Sequence, residues 1–482
     1  MERNELYIGG TWVTPSTTEH GTNVDSNTEE ALGSYALAGT AEVDRAVAAA
    51  RATLNDRDGW AGYSPQQRAA VMRRFADAIE RQRDGIGSLI SREVGTPFER
   101  SRFSNADTAS SLLRFYADII AETELEDLRP AGRGHSLVRR EAIGVVGMIA
   151  PWNFPLSTLF FKLAPALAAG CTAVIKPASL TALNSFLIAD AAAEAGIPAG
   201  VINILPCDRA TGDHLIGHPG IDKIAFTGST PVGRKIGRMC GENLKPVTLE
   251  LGGKSAALLL EDASVETLIT ELHDLCFSNN GQACTNNSRL IVPDVLYGDV
   301  VEAVAAEVRN WKVGNAFDPE TVIGPVVSAG HRESIERYYR IAREEGGRAV
   351  AGGNAIDGRG FFVEPTVFAD VTPEMTLFRE EVFGPAISIT RYSGDLQEGI
   401  DLANDSEYGL SGAVYTADET LGIETARRIE TGTVAYNMSN FDIGAPFGGR
   451  KNSGVGFELG AEAIVPYLHY KTIFTPQVPA GF

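Results

Sequence analysis

Between Gly144 and Gly228 the chain alternates short apolar runs with helix-like segments, and no other feature restricts its fold so strongly. Apolar runs at 145–149, 172–175, 201–205 and 223–226 are separated by helical patterns at 162–169, 183–195 and 210–216, the second closed by Gly196 and Pro198. Strands and helices alternating at this spacing form βαβ units around a parallel sheet, so the fold class is α/β. Residues 41–90 are rich in alanine and arginine at helical period, which predicts a short β-like opening followed by a pair of amphipathic helices. A second α/β passage runs from about residue 255 to about residue 431. At 482 residues and about 150 per domain the chain holds roughly three units. With no repeats and no low-complexity linker, those units are expected to interlock.

A formal charge of −20 without a basic patch argues against nucleic acid or an anionic membrane as partner. The five cysteines at 171, 207, 240, 276 and 284 are odd in number and include no C-x-x-C pair. That pattern suits a reducing compartment without disulfides and no metal cluster, so a cytoplasmic location is expected. No uninterrupted apolar run reaches about 18 residues, and the first residues lack a basic region followed by an apolar stretch. Neither export nor a membrane span is expected.

The chemistry concentrates in a few segments. Residues 277–286 read FSNNGQACTN, a polar turn presenting Cys284, and Glu250 lies 34 positions upstream (284 − 250) in ELGGK. A thiol among small polar residues with a carboxylate to serve it is a nucleophile and base in outline. Phe226-Thr-Gly-Ser-Thr-Pro-Val-Gly233 follows a strand-like run and opens a helix, where backbone N–H groups can hold a pyrophosphate. Lys176 follows another strand, in reach of ribose or phosphate oxygens, and the Asn153 amide between Pro151 and Pro155 is a neutral donor suited to an oxyanion. Taken singly, each has a blander reading: a buried cysteine, a turn before a helix, a solvated lysine, a turn asparagine.

Taken in order, Pro151-Trp-Asn-Phe-Pro, Lys176-Pro-Ala-Ser, Phe226-Thr-Gly-Ser-Thr, Leu249-Glu-Leu-Gly-Gly-Lys, Gly281-Gln-Ala-Cys, Glu380-Glu-Val-Phe-Gly-Pro and Pro446-Phe-Gly-Gly-Arg-Lys resemble the motif series of the aldehyde dehydrogenase superfamily over nearly the whole chain. The resemblance implies Cys284 as nucleophile, Glu250 as general base, Asn153 with the Cys284 N–H as oxyanion donors, and Glu458 in relaying protons from the base. It implies NAD or NADP as cofactor, with Lys176 and Ser179 on the adenosine ribose and Ser229 on the pyrophosphate. Glu381 and Phe383 would hold the nicotinamide ribose, and Trp152, Phe226, Gly228, Gly233 and Leu251 would complete the site. The implied substrate channel is Phe154, Phe161, Phe441 and Phe447, with no metal.

Three departures from the family pattern stand out. Ser179 replaces the glutamate common in NAD-preferring members and so removes a charge that would repel a 2′-phosphate. Phe457 stands where many members place an arginine, with no chemical consequence to attach. Tyr436 stands where a smaller residue is usual.

The apolar channel implies a neutral aliphatic or aromatic aldehyde, since semialdehyde-acid enzymes tend to place an arginine there. The alternatives are a semialdehyde dehydrogenase acting on a charged substrate, a CoA-acylating dehydrogenase and an inactive structural homologue. The resemblance also implies an aldehyde dehydrogenase-like fold: a Rossmann-type dinucleotide-binding domain (1–119 and 143–252), an α/β catalytic domain (253–447), a small β oligomerisation flap (120–142 and 466–482) and a return segment (448–465). The flap segments alternate apolar and polar residues, as an exposed ribbon does. A homodimer or tetramer is expected.

Overall fold

The computed structural model describes residues 2–479, so residues 480–482 of the expected flap lie outside the described residues. Two α/β sheets organise it. The first has eight strands in the spatial order Gly454–Val455, Val247–Glu250, Lys223–Thr227, Val145–Ile149, Thr172–Lys176, Ile202–Ile204, Leu6–Ile8, Thr11–Val13. Its five central strands are parallel, and the outer three pair antiparallel. From Val145–Ile149 the chain builds outward to Ile202–Ile204, returns across the sheet through the helix Arg209–Gly217, and builds the other way from Lys223–Thr227. The carboxyl ends of Val145–Ile149 and Lys223–Thr227 are therefore neighbours at a switch point, where doubly wound sheets open a ligand crevice. Register places Ile149 opposite both Lys176 and Phe226, and Thr227 opposite Glu250.

The helix Pro155–Ala169 fills the space under this edge. All fifteen of its residues are buried, because it is apolar nearly all round. It begins well before residue 162, where the periodicity alone puts it: Pro155 is the first helical residue, a position that its fixed φ suits, and not the end of a stiff loop. The N-terminal region likewise carries three successive helices, Thr40–Asn55, Pro65–Arg81 and Arg83–Val94. The second starts on a capping box, Ser64 accepting from the Gln67 N–H while Gln67 reaches back to Ser64.

The second sheet runs Arg348–Ala351, Thr366–Ala369, Ala386–Tyr392, Arg289–Pro293, Ala256–Leu259, Gly412–Tyr415, Ala435–Tyr436, parallel except for the first pair. A third, antiparallel sheet joins Glu126–Pro130, His135–Ala142 and Leu468–Thr475, the last strand paired from Leu468 with Ala142 to Thr475 with His135. Its edge leaves Tyr470, Ile473 and Phe474 exposed.

Candidate active site

The loop that presents Cys284 is built from left-handed backbone. Asn279, Asn280 and Gly281 follow one another at φ 53°, 58° and 78°. Gly281 has no substitute, since a Cβ there would lie 2.1 Å from the carbonyl carbon of Gly384. Asparagine tolerates this region better than most residues, and here both side chains are buried and bonded. Asn280 Nδ2 donates to the carbonyls of Gly95 and Pro325, and its Oδ1 accepts from Gly324 N–H. Gln282 Oε1 accepts from Val327 N–H at 2.9 Å. Cys284 emerges half-buried against the hydrophobic cluster that contains Phe161, Phe447 and Leu410.

Asn153 sits at the carboxyl end of Val145–Ile149, just before the buried helix. Its Nδ2 donates to the Gln282 carbonyl at 2.9 Å, which uses one of its two N–H bonds and brings the amide to the cysteine loop. Glu250 ends the strand Val247–Glu250, which lies one strand further along the sheet, beyond Lys223–Thr227. It is buried, and neither carboxylate oxygen has a hydrogen-bond partner among the described residues. Glu458 is also buried and lies 2.7 Å from the Nζ of Lys162, which donates to the Thr227 hydroxyl and the Thr158 carbonyl as well.

Sequence reasoning missed Lys162. The signal was there: a lone lysine inside a helix otherwise apolar on every face must find a buried partner. It also passed over Lys254, which is buried with no hydrogen-bond partner for Nζ among the described residues and whose pKa burial pushes down to about 7.

The expected dinucleotide contacts converge on the switch-point edge. Ser229 is the N-cap of the helix Thr230–Glu242 and makes no side-chain cap bond, so its hydroxyl and the N–H groups of Thr230 and Val232, on either side of Pro231, have no intrahelical partner. Phe226 and Gly228 lead into this turn, and Gly228 N–H donates to the Glu250 carbonyl. Leu251 packs so closely on the helix that a Cβ at Gly233 would lie 2.3 Å from its Cδ2. On the next strand end, Ser179 is exposed, and its carbonyl accepts from Tyr35 Oη and Asn23 Nδ2, both at 2.7 Å. The Lys176 side chain lies along the first turns of Arg209–Gly217. A helix N-terminus with free N–H groups, beside a lysine and an exposed hydroxyl, fits a dinucleotide.

Across the crevice Glu381 Oε1 accepts from Gly253 N–H at 2.9 Å. Phe383, at φ 56°, meets the Trp152 ring edge-on at 5.3 Å, and His331 Nε2 donates to its carbonyl. In the expected channel Phe161 and Phe441 stack at 5.6 Å and 19°, and Phe441 meets Phe447 at 6.2 Å. Phe154 is half-buried at the N-cap of the buried helix.

The sequence profile of the Aldehyde dehydrogenase family matches residues 12–473. The chain belongs to that family. It is 47% identical to the geranial dehydrogenase of Castellaniella defragrans over 475 residues, covering 98% of this chain and 99% of the relative. The Mycobacterium tuberculosis aldehyde dehydrogenase complexed with NAD+ superposes with a TM-score of 0.95 at 40% identity, covering 100% of this chain and 99% of that one. A mutant of aldehyde dehydrogenase C from Pseudomonas syringae, complexed with NAD+ and octanal, gives 0.94 at 34% identity, covering 99% and 98%. This aldehyde dehydrogenase oxidises an aldehyde to the carboxylic acid and reduces NAD(P).

The electrostatics of the aldehyde dehydrogenase site are those of carboxylates taken out of water. Burial raises the Glu250 pKa well above the ordinary range, Glu458 raises it further, and Lys162 opposes both. Burial likewise pushes Glu381 up to about 7. The Cys284 thiol is pushed up to about 12, first by burial and then by Glu381 and Glu250.

Away from this site Asp44, His214 and His218 also gather, with Asp44 Oδ1 at 2.7 Å from His214 Nε2 and 3.4 Å from His218 Nε2. Gly220 N–H donates to His218 Nδ1, so in the neutral ring Nε2 carries the proton towards Asp44. That is a hydrogen-bonded pair of helices and not a set of free metal ligands.

Proposed function

We propose that Cys284 is the nucleophile of this aldehyde dehydrogenase, Glu250 its general base, Asn153 with the Cys284 N–H the oxyanion donors, and Glu458 with Lys162 the exit for the base's proton. The observation that carries this reading is the Glu250 carboxylate: sealed from water, free of hydrogen bonds, and close enough to raise the Cys284 thiol. Burial and the neighbouring Glu458 lift the pKa of a carboxylate so placed well above the ordinary carboxylate range, which strengthens it as a base.

The Cys284 sulfur adds to the aldehyde carbon and gives up its proton, and Glu250 is placed to take it. The alkoxide that forms meets the second N–H of Asn153 Nδ2, a donor worth roughly 3 kcal/mol to the transition state. Bound NAD(P) supplies the acceptor for the hydride that leaves that carbon. Lys176, Ser179, Ser229 and the helix N-terminus would hold its adenosine and pyrophosphate, and Glu381 with Phe383, braced by Trp152, its nicotinamide ribose. A thioester on Cys284 remains. Water attacks it while Glu250 takes the water's proton, the C–S bond breaks, and the acid leaves as the thiol is restored. Before the water step the buried Glu458–Lys162 pair offers Glu250 a charge-balanced route to shed the thiol's proton, and the water's proton later returns from Glu250 to the thiolate sulfur.

The substrate is a neutral apolar aldehyde, as the stacked rings of Phe161, Phe441 and Phe447 favour and as the kinship to a geranial dehydrogenase supports. The test follows absorbance at 340 nm over a panel of aldehydes, with and without CoA. Apolar aldehydes should have the highest kcat/KM without CoA, and a preference for carboxylated semialdehydes would overturn the assignment.

The chain assembles as a homodimer or a dimer of dimers, the exposed Tyr470, Ile473 and Phe474 of the strand Leu468–Thr475 being covered by a second copy. A stable monomer at micromolar concentration in light scattering would contradict this. No described helix is long and apolar enough to cross a membrane, and the free cysteines suit the cytoplasm.

A further inference from the structure

The loop carrying Cys284 and the loop carrying Asn153 are tied by two reciprocal hydrogen bonds. Asn153 Nδ2 donates to the Gln282 carbonyl at 2.9 Å, and Asn279 Nδ2 donates to the Asn153 carbonyl at 2.9 Å. Asn279 is buried, and both N–H bonds of its amide have acceptors. Its Oδ1 accepts from the Thr96 hydroxyl at 2.5 Å, and its Nδ2 reaches the Gln282 carbonyl at 3.4 Å. Thr96 is buried too, in the connection after the helix Arg83–Val94, so a third segment anchors the junction. The backbone of Asn279 is left-handed, a conformation that costs an asparagine free energy and that the surroundings must impose.

We propose that Asn279 is a positioning residue that sets the separation of the Asn153 amide from the Cys284 sulfur. The inference rests on the roles assigned to Cys284 and Asn153. An oxyanion donor acts only if held where the alkoxide will form, and a displacement of about 1 Å costs on the order of 100-fold in rate. The side-chain hydrogen bonds of Asn279 go to Thr96, Asn153 and Gln282, and to none of the residues assigned to the cofactor or the aromatic channel, so its loss should fall on kcat.

Asn279→Gly separates this role from a structural one. Glycine adopts the left-handed backbone without strain, so the fold has no strain to relieve, but the clamp is gone. Asn279→Asp keeps the shape and the acceptor for Thr96, and replaces the N–H₂ donor by a carboxyl oxygen that faces the carbonyls of Asn153 and Gln282. Both variants should show a rate of the first NAD(P)H burst reduced at least tenfold, with KM and the Kd of NAD(P) within about twofold of wild type. A burst rate within twofold of wild type in Asn279→Gly would overturn the inference, as would a loss confined to KM. Cys284→Ala is run beside them: retained turnover there would instead remove the nucleophile assignment on which the inference rests.

Discussion

Lys162 Nζ lies 2.7 Å from Glu458 Oε1, with both side chains buried beside Glu250. The lysine balances two carboxylates, since it lowers the pKa of Glu250 and of Glu458 alike. Lys162→Met should therefore raise the base's pKa further. Glu250 must be ionised to take a proton, so the acidic limb of the kcat–pH profile is expected to move to higher pH, with the alkaline plateau reached late. Breaking a buried pair should also cost about 3–5 kcal/mol of stability. A profile superimposable on wild type would disconnect Lys162 from the base.

Cofactor choice turns on Ser179. Two unit charges at about 4 Å repel by about 4 kcal/mol at an effective dielectric of 20, so a neutral serine lifts a barrier to the 2′-phosphate. NADP should be accepted readily, with NAD also used, and Ser179→Glu should cut kcat/KM for NADP more than for NAD. Wild-type NADP efficiency below about a hundredth of that for NAD, or no loss in the variant, would contradict this.

The strands of the first sheet were legible because buried parallel strands read as unbroken apolar runs, as at 145–149 and 223–226. The helix start at Pro155 was not, because a proline closing a Pro-Trp-Asn-Phe-Pro loop and a proline opening a helix look alike until tertiary contacts decide. The third early helix was hidden for a related reason: Gln82 ends one helix and caps the next, leaving no turn residues between them. Cys284, Glu250 and Asn153 stand out in their motifs, and the structure brings the three segments together. Lys162 and Asn279 do not stand out, because what distinguishes them is a partner far away in sequence, Glu458 for the first and Asn153 for the second.

Lys254 makes a stability prediction. Its folded pKa is depressed to about 7 from 10.5, so between those values the unfolded chain binds more protons and this group's contribution to stability rises with pH. Lys254→Met should therefore be stabilising relative to wild type below pH 7, with the advantage shrinking towards pH 10. Thermal unfolding of both proteins across that range measures it, and a pH-independent difference in Tm would refute the assignment.

The roles proposed for Cys284 and Glu250 are separable by time. Cys284→Ala should abolish aldehyde oxidation while NAD(P) still binds, because only the thiol is lost. Retained turnover would reassign the nucleophile.

Glu250→Gln in stopped flow tests the central claim most directly. The glutamine leaves Cys284 in place and can take no proton from water, so one burst of NAD(P)H should survive in part while steady turnover collapses by on the order of 100-fold or more. A variant that keeps the full steady-state rate would show that Glu250 is not the base, and the proton would have to be taken by another carboxylate such as Glu458.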